Sequence, residues 1–217
     1  MAIREIISYD IKTYNFREII QEMLDTSKLE EIHNFVDYEV FTLDNDQSSA
    51  FHRKFYGHCD KNPQFDDLYV DFIKNYISTY FNDKNLIFQK RPTFRIHYNN
   101  NLAVAEFHRD SNYNHPIQEV NFFLPVTDCW DTNTIWIESE DGKADYSPVR
   151  LKYGQIFVFN GGMLTHGNKI NKTGSSRISF DFRCLRSDHE RELNSNSDGS
   201  SEKTKKKFII GDYYDKL

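Results

Sequence analysis

Residues 102–110 read Leu-Ala-Val-Ala-Glu-Phe-His-Arg-Asp, and further on stand His166 and the run Arg177-Ile-Ser-Phe-Asp-Phe-Arg183. The first stretch alternates as a strand does, so His108 and Asp110 are expected to project from the same face as Glu106. His166 lies fifty-eight residues after His108 in a second extended run, and Arg177 eleven residues after that. Two imidazoles and one carboxylate form the donor set of a non-haem iron(II) centre. Borderline nitrogens with one hard anionic oxygen hold Fe(II) on one face and leave other positions open for a cosubstrate and dioxygen.

A His-x-acid triplet alone carries little weight, because eight His and 33 acidic residues in 217 give about one match by chance. The chain has two, His58-Cys59-Asp60 and His108-Arg109-Asp110. Gly57, Asn62 and Pro63 put the first in a loop between helical segments. Arg177 distinguishes the second. The Asn, Thr and Gly content of residues 167–176 reads as a hairpin turn, so the strands carrying His166 and Arg177 are expected to pair antiparallel. At about 5 Å between strands and about 3.4 Å per residue of offset, Arg177 falls one small dicarboxylate's length from the metal. Its guanidinium can grip a carboxylate bidentately, and Ser179 shares its face.

His108-x-Asp110, His166 and Arg177-Ile178-Ser179, in that order, resemble the metal triad and Arg-x-Ser clamp of the Fe(II)/2-oxoglutarate-dependent oxygenases. Residues 119–128 and 134–139, with a weaker likeness at Gly211-Asp212-Tyr213-Tyr214, resemble the streptomycin-biosynthesis-type (phytanoyl-like) subgroup. The resemblance covers residues 94–185. It implies Fe(II) on His108, Asp110 and His166, 2-oxoglutarate on Arg177 and Ser179, and O2 as the oxidant. The expected reaction releases succinate and hydroxylates a C–H bond of a small polar metabolite: a sugar, cyclitol or amino-acid-like compound. Asp110 fills the position where Gly or Ala would leave room for halide, so hydroxylation is expected over halogenation. Arg183 shares the face of Arg177 and is a rival clamp; Asn121 and Tyr98 are further cosubstrate candidates, and Trp136, Glu138 and Glu106 are candidates for the substrate pocket.

A chain of 217 residues suits a single domain with a sizeable core. With 18 Phe and 13 Tyr, that core is expected to rely on rings. A net charge of −6 gives no attraction to nucleic-acid phosphates, and the Lys203–Lys207 run reads as a solvated tail. No apolar stretch approaches a membrane span, and the first residues lack a signal-peptide apolar region, so a cytoplasmic location and no membrane partner are expected. Cys59, Cys129 and Cys184 lack C-x-x-C spacing and read as reduced and structural.

Along the chain, Ile3 to Ile11 alternate as an entry strand and Phe16 to Leu24 repeat at helical spacing. A short helix is expected at 28–34, a strand at Tyr38–Leu43, and an exposed connecting segment around His52, Arg53, Lys54 and Tyr56. The apolar stripe at 64–82 predicts the strongest helix, packed on a sheet. Strands follow at 86–98, with an edge or bulge at Pro92, then at 102–108, 118–126, 133–138, 148–151, 155–160, 163–167 and 176–185. The fold class is mainly β with flanking α-helices, a double-stranded β-helix of the jelly-roll, cupin-like kind. Its parts are a helical and extended region at 1–85, a β core at 86–186, a polar linker at 187–206 and a docking segment at 207–217. The rival readings are a metal-binding cupin-type isomerase or lyase and a non-catalytic jelly-roll binding module; neither needs Arg177 and Ser179.

Overall fold

The computed structural model describes residues 2–35, 49–103, 106–195, 199–201 and 205–217. The expected strand at Tyr38–Leu43 and part of the basic run lie outside these residues.

Among the described residues the strands are β1 (Arg4–Ser8), β2 (Ile87–Gln89), β3 (Thr93–His97), β4 (Val120–Pro125), β5 (Trp136–Ile137), β6 (Ser147–Pro148), β7 (Gln155–Phe159), β8 (His166–Gly167), β9 (Arg177–Leu185) and β10 (Tyr214–Lys216). A seven-stranded sheet runs β1-β7-β4-β9-β2-β10, with β3 also on β9, and a three-stranded sheet runs β6-β5-β8. Every ladder between these strands is antiparallel.

The large sheet is two-faced because side chains alternate along each strand. Ile178, Phe180, Phe182 and Cys184 of β9, with Phe122 and Leu124 of β4, are buried in one cluster with helices α1 (Phe16–Leu24), α2 (Ala50–Cys59) and α3 (Gln64–Phe72). Rings dominate this contact: Phe180 meets Phe16 at 4.9 Å and Phe65 at 5.5 Å, and Phe182 stacks on Phe122 at 4.9 Å. The opposite face of β9 carries Arg177, Ser179, Asp181 and Arg183. Beside it Phe123, Phe157 and Phe159 pack with Ile137 and Leu164 in a smaller cluster that joins the two sheets.

The helix expected at 64–82 runs from α3 through a π-helical turn, Ile73–Ile77, into α4 (Ser78–Phe81). Pro92 separates β2 from β3, the break that its missing N–H requires. Other expectations need correction. The segment around His52 is part of α2, with His52 fully buried against Phe94, 5.6 Å between rings; His58 lies in the same helix. Among the described residues of the supposed strand 102–108, only an isolated bridge at His108 forms, and Asn100 just before it adopts positive φ. Residues 167–176 do not close a hairpin. β8 pairs with β5, β9 pairs with β2, β3 and β4, and the segment crosses between sheets. Asn171 fixes that crossing: its amide donates to the His97 and Ser175 carbonyls, and its backbone exchanges bonds with Asn100 and Asn101. The polar stretch after 186 is not a simple linker. Ser187 bonds Asp83, α5 (Glu190–Ser195) follows, and Leu193 is buried with Phe208, Tyr213 and Tyr214. β10 pairs with β2.

Candidate metal centre

His108 and His166 face each other across the isolated bridge and exchange both backbone hydrogen bonds, each 2.9 Å. Directly opposed residues send their side chains to the same side, so the two rings lie 4.7 Å apart. Gly167 lets the strands close: a Cβ there would meet Phe107 at 2.9–3.0 Å, its backbone Cα included. Nδ1 of His108 lies 2.9 Å from the Glu106 carbonyl, and Nδ1 of His166 lies 3.0 Å from the Leu164 carbonyl. Carbonyls only accept, so both rings carry their proton on Nδ1 and turn a bare Nε2 inward.

Asp110 follows His108 by two residues, donates its N–H to the Gly161 carbonyl and opens a 3₁₀ turn, Asp110–Tyr113. Its Oδ1 lies 3.4 Å from Nε2 of His108 and 3.6 Å from Nε2 of His166. One donor atom from each of the three residues falls within 4.8 Å of the others. Oδ2 points the other way and accepts from Asn121 at 2.7 Å and from Arg183 at 2.8 and 2.9 Å. One oxygen is thus held by the protein and the other is presented beside two bare nitrogens. Asn121 is itself held by the Gly161 N–H, and a Cβ at Gly161 would strike the Asn121 side chain at 2.7 Å. Burial opposes ionisation of Asp110, but the Arg183 guanidinium beside it holds its carboxyl well below the usual range. Burial lowers His166 to about 4 against the pull of Asp110, which keeps the ring neutral at pH 7. The donor set therefore fits a divalent metal ion of borderline character.

At the other end of the cleft Arg177 is 1% exposed. It donates through one terminal nitrogen to the Asn133 carbonyl at 3.1 Å and sits 5.1 Å over the Phe123 ring, but among the described residues Nε has no partner and no carboxylate forms an ion pair with it. Burial brings its pKa down to about 10, so it stays charged at pH 7. Ser179 Oγ is also buried without a partner, as are Thr134 Oγ1 and Asn133 Nδ2. A buried cation with idle donors around it is costly unless an anion completes it. His108, Asn121, His166, Asn168, Arg177 and Arg183 line the same cleft, so the two histidines and Arg177 face one space.

No protein-family model matches the chain. Over 211 residues, 96% of this chain and 96% of the relative, it is 32% identical to the streptomycin biosynthesis protein StrG of Streptomyces griseus. The chain belongs to the StrG family. Among solved structures it is similar to the non-heme monooxygenase ThoJ, both as a nickel complex and in apo form, with TM-score 0.47, 13% identity and coverage of 84% of this chain and 74% of that one. EvdMO1 follows at TM-score 0.43 and 13% identity, covering 85% of this chain and 48% of that one.

In this StrG relative the remaining candidates fall into two groups. Arg183 lies in the cleft but is engaged by Asp110, with Glu119 at 3.7 Å, whereas Arg177 has no carboxylate partner among the described residues. Asn121 likewise serves Asp110. Tyr98, Trp136, Glu138 and Glu106 do not line the cleft. Tyr98 is in the aromatic core, with its hydroxyl 3.4 Å from Ser49. Trp136 bonds the Asp131 carbonyl and holds Lys169 3.3 Å over its ring. Buried Glu138 accepts from the Thr165 and Ala144 amides, and Glu106 is exposed, with its carbonyl orienting His108. Sequence reasoning missed Arg95 and Asp181, which pair at 3.0 Å in the cleft, and Asn168. The alternation of β9 offered a signal for Asp181, which shares the face of Arg177 and Arg183.

Proposed function

We propose that this member of the StrG family is a non-haem Fe(II)- and 2-oxoglutarate-dependent oxygenase, a hydroxylase of the double-stranded β-helix class that acts on a small polar metabolite. The observation that carries the reading is one cleft lined at one end by His108 and His166, whose bare Nε2 atoms lie beside Oδ1 of Asp110, and at the other by buried Arg177, which has no carboxylate partner among the described residues.

His108, Asp110 and His166 would hold the iron, and Arg177 with Ser179 would hold the far carboxylate of 2-oxoglutarate. When bound, the pair supplies the activation of dioxygen for C–H hydroxylation. The chain's own contribution is positioning and the exclusion of water. The Glu106 and Leu164 carbonyls fix the tautomer of each imidazole, Arg183 and Asn121 fix the carboxylate, and Phe123 and Phe159 dry the wall between the two ends. Charge supports the reading. Asp110, Glu119 and Asp181 balance Arg95, Arg177 and Arg183, so a divalent cation needs a dianion to restore neutrality. A cupin-type isomerase or a simple binding module would leave Arg177 unexplained.

The substrate class is supported by the name of the curated relative, which belongs to the biosynthesis of a small polar product. The test is succinate release under air from protein loaded with Fe(II) and 2-oxoglutarate, scanned over sugars, cyclitols and amino acids. Turnover that needs all three additions, and is lost in Asp110→Ala, is expected. Binding of neither iron nor 2-oxoglutarate by the wild type would overturn the proposal.

A further inference from the structure

The C-terminal segment reaches the candidate centre from behind. β10 forms an edge of the large sheet against β2, and Phe208, Tyr213 and Tyr214 pack with Ile87, Leu185 and Leu193. From this segment two hydroxyls enter a buried polar chain. Tyr213 Oη lies 3.2 Å from Arg183, and Tyr214 Oη hydrogen-bonds Glu119. Arg183 Nη1 also reaches Gln89 of β2 at 3.4 Å, while Nε and Nη2 donate to Oδ2 of Asp110 and Nε lies 3.7 Å from Glu119. Glu119 is 1% exposed and has His115 at 3.0 Å, while the His115 ring rests 4.1 Å from Phe208 of the same segment. The reading of the centre uses Asp110 and Arg183 but gives Glu119, Tyr213 and Tyr214 no task.

We propose that the segment 207–216 is a positioning element of the centre: Tyr213 and Tyr214 hold Arg183 and Glu119 so that Arg183 keeps Asp110 turned with Oδ1 toward the two histidines. The proposal rests on the reading of His108, Asp110 and His166 as a metal centre. Its physical basis is the number of directions open to Arg183. A guanidinium has five N–H donors in a fixed fork, and two of its neighbours are buried carboxylates, Asp110 and Glu119. The Tyr214 hydroxyl stabilises Glu119 independently of Arg183, which lets the guanidinium commit its fork to Asp110. Tyr213 and Gln89 fix the other side of the fork. Losing either hydroxyl lets Arg183 swing toward Glu119 and unties Oδ2 of Asp110. Tyr213 and Tyr214 are positioning residues, since neither touches the three donor atoms.

Removing Arg183 leaves two buried carboxylates unpaired and risks the fold, so the test uses Tyr213→Phe, Tyr214→Phe and the double variant, which keep the rings. Co(II) is titrated into the metal-free proteins as a divalent probe, its visible ligand-field absorption is recorded, and thermal melting of each metal-free protein is measured. The wild type should bind one Co(II). The double variant should bind it roughly threefold to tenfold more weakly, less than the roughly 10–100-fold typical of groups bonded directly to a ligand. Its absorption band should change shape, because the carboxylate's orientation sets the ligand field. Unaltered affinity and band shape in the double variant, whatever its melting temperature, would overturn the proposal and leave the metal centre standing. Absence of Co(II) binding by the wild type would remove the metal centre itself, and the proposal with it.

Discussion

Each residue of the cleft is specified by the atom it withholds as much as by the atom it offers. The carbonyls that occupy Nδ1 of His108 and His166 leave Nε2, and the donors that saturate Oδ2 of Asp110 leave Oδ1. His108→Ala, Asp110→Ala and His166→Ala should each abolish tight Fe(II) binding, read by equilibrium dialysis, with far-ultraviolet circular dichroism near the wild type. Stoichiometric iron in all three would rule out the assignment. A second residue-scale expectation concerns His52 and His97, both fully buried. Burial, then the nearby Arg95 and Arg177 respectively, lowers each to about 3. The unfolded chain takes up these protons near pH 6.5 and the folded protein only near pH 3, so stability is lost as the pH falls through that window. Between pH 7 and 5 the loss should be roughly 2 kcal/mol per histidine. Urea unfolding at the two pH values checks this, and equal stability would contradict it.

At the scale of elements, the centre depends on close approaches that only glycine permits. Gly161→Ala would push on Asn121, and Gly167→Ala on the backbone of Phe107 beside the His108–His166 bridge. Each should weaken Fe(II) binding by roughly tenfold or more, because each moves a group that orients a ligand. Affinity equal to the wild type in either would show that the bridge or the amide has room to spare. The elements also show which parts of the structure were legible. β9 follows from a period-two run, β4 and β7 from short apolar runs, and α1 and the 64–81 helix from apolar stripes. The hairpin between His166 and Arg177 was misread because turn-forming residues report that the chain turns and not which sheet it joins next; Asn171, bonded to His97 seventy-four residues away, decides that. The strand at 102–108 was misread for a related reason. Alternation there is real in sequence, but among the described residues it meets one bridge, at His108. Tyr98, Trp136 and Glu138 lie on expected extended runs, and their absence from the cleft wall could not be read without the pairing register.

At the scale of the whole molecule, one strand serves both halves of the account. The even positions of β9 anchor the aromatic core against the helices, and on the opposite face Arg177, Asp181 and Arg183 line the cleft. Phe180→Ala should therefore cost about 3–5 kcal/mol in urea unfolding, the range for a buried phenylalanine, and loosen the cleft from behind. A loss under about 1 kcal/mol would show that the rings repack freely. The division of β9 places Arg177 between the aromatic core and the cleft. The central claim is that Arg177 holds the far carboxylate of 2-oxoglutarate. The most direct measurement is calorimetric titration of 2-oxoglutarate, without oxygen, into Fe(II)-loaded wild type and Arg177→Ala. Leaving one member of a buried charge pair unpaired costs about 2–5 kcal/mol, so affinity should fall roughly thirtyfold or more while iron affinity changes little. Equal affinity in the two proteins, or no binding by the wild type, would contradict the account.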